Sequence, residues 1–173
     1  MTHHLDFGSL TVKDALDLAI FIEEEARDRY DDFAAQMEAH RTPEAARFFR
    51  HMAENELKHA TAIADRRTAA FGDAPVTADR SMLFDVEAPA FEQARAFMGV
   101  KAALEVALAA ETKAYEFYDA ALPTIKDPQM QELFGWLRDE EVKHQEMVRR
   151  LMDVVPEDGD FDPEDFVDAP TGQ

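Results

Sequence analysis

Apolar side chains recur every three or four residues along four stretches of this chain, the spacing that lines one face of an α-helix. The first stretch runs from about Val12 to Glu38, with Val12, Leu16, Ala19, Glu23, Ala26, Tyr30 and Phe33 on one stripe. The second opens at Thr42-Pro43, a capping residue followed by proline in the first turn, and reaches about Ala70. Phe49, Met52, Glu56, His59 and Ile63 fall in line along it. The third runs from about Gly99 to Leu122, and the fourth from Asp127-Pro128, the same cap-plus-proline signal, to about Met152. The pattern predicts an all-α domain of four long helices.

The two halves repeat. A shift of 88 positions lays Val12, Lys13, Ala15, Leu16, Ala19, Glu23 and Tyr30 on Val100, Lys101, Ala103, Leu104, Ala107, Glu111 and Tyr118. A shift of 85 lays Pro43, Phe49, Glu56, Lys58 and His59 on Pro128, Phe134, Glu141, Lys143 and His144. The difference of three falls in the connection between helices, where length varies freely. The chain therefore reads as a duplicated helical hairpin. Short links join helices one to two and three to four, so each pair should be antiparallel. Between Phe71 and Met98 a long stretch with Gly72, Pro75 and Pro89 breaks the pattern. A helix of about 26 residues is roughly 39 Å long, so such a stretch can run back along the bundle and leave helices two and three parallel. Within it, Ala90 to Phe97 could form a short helix.

Composition narrows the chemistry. At 173 residues the chain suits one domain with a sizeable core. The expected division is an extension over 1–9, the bundle over 10–153 and an acidic, disordered tail over 154–173. A net charge of -19 argues against nucleic acid and anionic membranes as partners. Eight of the acidic residues lie between Asp153 and Asp168, with no basic one among them. In that tail Asp158, Asp160 and Asp162 alternate like a calcium loop, but Pro163 stands where the turn needs glycine. The start of the chain lacks the pattern of a signal peptide and no apolar run could span a bilayer, so the cytoplasm is the default compartment. Cysteine is absent, so any transition metal must be held by imidazole and carboxylate.

Helical spacing supplies such a set. Residues three apart share a face, so Glu56 projects with His59 and Glu141 with His144, both pairs on apolar stripes. Glu23 and Glu111 lie on the stripes of their own helices, each seven residues before a tyrosine. Glu24 and Glu25 beside Glu23 fall off the stripe and read as solvated. Four inward carboxylates without a lysine or arginine among them need counter-charge, and two divalent cations would provide it. Tyr30 and Tyr118 are either core aromatics or hydroxyls that hold a ligand carboxylate. His3, His4, His40 and His51 receive no role, and Lys58 and Lys143 point away from the ligand stripe.

The order Glu, Glu-x-x-His, Glu, Glu-x-x-His over four helices is the ligand pattern of ferritin-like dinuclear carboxylate proteins. Within that group the chain most resembles the rubrerythrin family. The resemblance covers about Leu10 to Met152. It rests on Glu23 with Tyr30, Glu56-Leu57-Lys58-His59, Glu111 with Tyr118, and Glu141-Val142-Lys143-His144. It implies a ferritin-like four-helix bundle holding two iron ions, with manganese or a mixed pair as alternatives. By the same carry-over Glu56 and Glu141 bridge the metals, Glu23 and His59 complete one site, and Glu111 and His144 the other. Two departures stand out. No cysteine is present for a rubredoxin domain, and Ala114 occupies the position where several relatives carry an additional glutamate. The function expected is oxidation of Fe(II) with O2 or H2O2 for iron storage or detoxification. The alternatives are a peroxide reductase fed by an external electron donor, and a non-catalytic metal-binding protein. A homodimer or larger homo-oligomer is expected.

Overall fold

The computed structural model describes residues 10–79 and 86–155 of the chain. Four long helices account for most of them: α1 (Val12–Ala39), α2 (Pro43–Phe71), α3 (Val100–Ala121) and α4 (Pro128–Val154). The bounds lie within two residues of those the apolar periodicity predicts. Among the described residues no helix is long and apolar enough to cross a membrane. The expectations for residues 1–9, with His3 and His4, and for the acidic tail beyond Val155 lie outside the described residues.

Local chemistry sets where the helices start. Thr11 and Asp14 form a reciprocal capping box at the head of α1, each side chain accepting from the other's backbone N–H. Asp127 Oδ1 accepts from the amides of Gln129 and Met130 ahead of α4, at 2.8 and 3.3 Å. Thr42 departs from this expectation. It stands at the N-cap of α2 but makes no capping bond; its hydroxyl donates to the Met37 carbonyl at 3.1 Å instead. The turn between α1 and α2 explains the switch. Arg41 takes a left-handed φ of 60°, and the Thr42 amide folds back onto the same Met37 carbonyl at 3.0 Å. The hydroxyl thus closes the C-terminus of α1 instead of opening α2.

The chain between α2 and α3 returns along α1. Near its start, Lys13 donates to the Pro75 carbonyl, Thr77 to Asp14, and Arg67, itself paired with buried Asp17, to the Ala74 carbonyl. Further on, Arg29 holds the Pro89 carbonyl and Gln36 that of Ala94. These anchors climb α1 from its first turn to its last, so α3 begins at the end where α2 also begins, and the two run parallel. Lys113 of α3 donates to the Ala88 carbonyl at 2.8 Å, so the crossover is fastened to both α1 and α3. The short helix expected over Ala90–Phe97 contracts to one 3-10 turn at Phe91–Gln93.

Two apolar clusters fill the bundle. One gathers Tyr30, Phe33, Met37, Phe48, Phe49, Met52 and Leu104; the other gathers Leu16, Ile22, Ile63, Tyr118, Leu133, Phe134 and Leu137. The repeat is visible in their packing: Tyr30 lies 6.1 Å from Phe49, and the equivalent Tyr118 lies 5.6 Å from Phe134. Between the clusters sits a layer of buried charge.

Candidate metal centre

All six residues singled out by spacing meet in that layer. Glu23, Glu56, Glu111 and Glu141 are completely buried, His144 is 7% exposed, and His59 is the member closest to solvent. The His59 Nδ1 lies 3.4 Å from both a Glu23 oxygen and a Glu56 oxygen. His144 Nδ1 lies 2.9 Å from Glu111 and 3.8 Å from the other oxygen of Glu56. Glu56 therefore faces both histidines. The two imidazoles stack, with centroids 4.9 Å apart and planes 9° from parallel. Ligand atoms of Glu56, His59 and His144 fall within 4.8 Å of one another, and so do those of Glu111, Glu141 and His144.

The tyrosines divide. The Tyr30 hydroxyl donates to Glu111 Oε1 at 2.7 Å, reaching from α1 to α3. Tyr118 is equally buried, yet its hydroxyl has no hydrogen-bond partner among the described residues. Gln145 donates to the Glu111 carbonyl at 3.2 Å and steadies the same turn of α3. Lys58 and Lys143 are exposed, and they bond Asn55 and Glu140 respectively. His40 rests against Phe97, and His51 against Asn55.

A fifth carboxylate joins the four. Glu87, from the crossover, is completely buried, and an oxygen of it lies within 4.8 Å of ligand atoms of Glu23 and Glu56. Helical spacing could not reveal it, because its segment is a bent, non-helical stretch of the crossover. The available signal was an acidic residue between Val86 and Ala88-Pro89, inside a segment short of polar neighbours. Glu140 is a second addition, 3.8 Å from His59 Nε2 on the solvent side. Beyond it Trp136 packs edge-on against His59 and lines a groove of about 440 Å³ with Ile63, Arg66 and Glu132.

Electrostatics show how short of positive charge this layer is. Burial, together with neighbouring carboxylates, pushes Glu87 and Glu141 well above the ordinary range, and burial carries Glu23 up to about 7. Burial would lower both imidazoles, but Glu23 and Glu56 raise His59 to about 11, and Glu56 with Glu111 raises His144 to about 9. Glu56 alone is lowered: burial opposes its charge, and the two histidines outweigh it. Protons thus occupy the cluster where cations would otherwise sit. The nearest guanidinium on α1, Arg29, reaches the Pro89 carbonyl, Glu25 and the face of Phe91.

The stripe position separates Glu23 from its neighbour, since Glu24 is only half-buried. Glu23→Gln should weaken a metal bound there by more than about 100-fold, beyond the roughly 10–100-fold cost of changing a group that only supports a ligand. Glu24→Gln should leave affinity within about twofold. Calorimetric titration with Mn(II) reads both, and equal effects would mean that the helix face is misassigned.

The family model for Rubrerythrin matches residues 14–152. Among solved structures, the chain is similar to an uncharacterised conserved protein from Magnetospirillum magnetotacticum. The two share 27% identity over 85% of this chain and 97% of that one, with a TM-score of 0.67. No curated protein matches the chain.

Proposed function

Because this chain belongs to the rubrerythrin family, we propose that its central cluster binds two iron ions and oxidises Fe(II) with O2 or peroxide, serving iron storage or detoxification. One observation carries the reading. Among the described residues, eight buried carboxylate oxygens, on Glu23, Glu56, Glu87 and Glu141, lack a well-formed hydrogen bond, and His59 approaches Glu23 and Glu56 only to 3.4 Å. Leaving such groups unpaired in a core costs several kcal/mol each, so they persist in a fold only where something else neutralises them. Iron bound there would supply one electron per ion to the oxidant.

The chain's own residues would divide the work. Glu56, which faces both histidines, and Glu141 would hold both ions. Glu23 and His59 would complete one coordination set, and Glu111 and His144 the other. Tyr30 holds Glu111 in place through its hydroxyl, which fixes that carboxylate's orientation. The apolar clusters on either side keep water from the ions. His59, beside Glu140 and the groove lined by Trp136, marks the side from which Fe(II) would enter.

A ferroxidase requires no path for returning electrons, because each incoming Fe(II) brings its own. The chain has no cysteine with which to hold a rubredoxin-type iron. With Fe(II) in excess and O2 present, oxidation followed optically should continue through many rounds. Glu23→Ala and His144→Ala should each slow it by on the order of 100-fold, since each removes a direct ligand. Arrest after one round, with rapid peroxide turnover once a rubredoxin-type donor is added, would establish a peroxide reductase instead.

A further inference from the structure

We propose that Glu87 is a seventh protein ligand of the metal pair, delivered by the crossover, and that its charge biases bound iron toward the ferric state. The proposal rests on the iron-binding reading above and adds to it a carboxylate from outside the four helices. Glu87 is 0% exposed, and among the described residues no amide, amine or hydroxyl donates to either of its carboxylate oxygens; its neighbours there are other carboxylates. A glutamate serving only to connect α2 to α3 would gain hydration at the surface, where connecting segments normally run. Here the side chain is instead directed at Glu23 and Glu56, within 4.8 Å of ligand atoms on both.

The backbone around it is built to keep it there. Directly after Glu87, the Ala88 carbonyl accepts from Lys113 of α3 at 2.8 Å, and the Pro89 carbonyl accepts from Arg29 of α1. The Arg29 guanidinium also lies 3.4 Å over the ring of Phe91. The turn that follows is closed by the Ala90 amide donating to Gln93 Oε1 at 2.9 Å. Side chains of two different helices, α1 and α3, thus grip consecutive carbonyls. The residue just before the grip is buried beside Glu23 and Glu56.

Charge counting gives the consequence. With both histidines neutral as ligands, Glu23, Glu56, Glu111 and Glu141 balance two divalent ions and leave two trivalent ions with a surplus of about two charges. Adding Glu87 shifts those balances by one, to a slight deficit for the divalent pair and a surplus of about one for the trivalent pair. In a buried site the smaller surplus costs less, so Glu87 stabilises the ferric pair relative to the ferrous pair. Lys113 and Arg29 act as positioning residues for this carboxylate.

The test uses the full chain, titrated with Mn(II) by calorimetry and, loaded with iron, by potentiometry. Glu87→Gln should retain the helical content of the unaltered protein, bind one of two Mn(II) at least about tenfold more weakly, and shift the iron midpoint potential to more positive values. Glu87→Asp keeps the charge but retracts it; it should weaken the same ion while moving the potential less, and it replaces the glutamine variant if that fails to fold. Lys113→Met should also weaken that ion, by loosening the crossover. An unaltered protein that binds two ions, with Glu87 variants matching it in affinity and potential, overturns the role of Glu87 and leaves the iron site intact. An unaltered protein that binds no metal overturns both.

Discussion

Replacing Glu56 and Glu141 together with alanine is expected to abolish binding of the metal pair and, with it, Fe(II) oxidation. Glu56 is the one carboxylate that approaches both imidazoles, through different oxygens, and Glu141 of α4 lies with His144 of the same helix and Glu111 of α3. A carboxylate shared between ions serves both, so its loss cannot be confined to one. Changes to groups that merely support a ligand cost about 10–100-fold in affinity. Removing two shared ligands should exceed that, by at least about 1,000-fold for each ion. The helices should survive, because the variant removes buried charge that the metal-free protein holds at a cost. Circular dichroism checks the fold and elemental analysis checks the metal. Full occupancy in a well-folded double variant would mean that the ions sit elsewhere.

The second large effect is on stability, and its sign depends on pH. In the metal-free protein Glu23 has a folded-state pKa of about 7, above the ordinary carboxylate value, because it is buried. Glu87 and Glu141 are raised further in the same direction. A group that binds its proton more tightly when folded stabilises the fold at low pH, and that stabilisation is lost as pH rises through the folded pKa. The histidines act the same way: their contribution is complete below about 6.5 and is lost as pH climbs through about 9 for His144 and about 11 for His59. Glu56 is lowered, so its contribution is lost only as pH falls below the ordinary carboxylate range, and it does not alter the trend between pH 5 and pH 9. The melting temperature of the metal-free protein should therefore fall from pH 5 to pH 9. Metal replaces those protons, so the loaded protein should show little of that fall and should release protons on loading. Free ion at about a thousand times Kd contributes about 4 kcal/mol per site. For a chain of this size each kcal/mol moves Tm by about 2–4 °C, so loading two ions at pH 7 should raise it by about 15–30 °C. Calorimetric scans with and without chelator measure both effects.

The fold was legible because two independent signals coincide. Apolar periodicity locates four helices, and the internal repeat shows that the second pair copies the first, down to which rings meet, although Tyr30 stacks on Phe49 while Tyr118 meets Phe134 edge-on. The same repeat brought out Glu56-x-x-His59 and Glu141-x-x-His144, since a helix fixes where residues three apart must point. What escaped follows different rules. Glu87 lies on a bent, non-helical segment, held next to it by Arg29 and Lys113 at the Pro89 and Ala88 carbonyls, and no local spacing encodes that. Thr42 carries the signature of an N-cap, but the left-handed Arg41 turns its hydroxyl toward the end of the preceding helix. Tyr30 and Tyr118 are equivalent by sequence, yet among the described residues Tyr30 reaches a carboxylate with its hydroxyl and Tyr118 does not, a difference that register alone does not encode.

The central claim is that this cluster holds a pair of metal ions, and anaerobic titration of the metal-free chain with Fe(II) tests it most directly. Two ions per chain should bind, with proton release near pH 7, and both should be lost in the Glu56→Ala, Glu141→Ala variant. Binding of one ion or none, or two ions that persist unchanged in that variant, would contradict it.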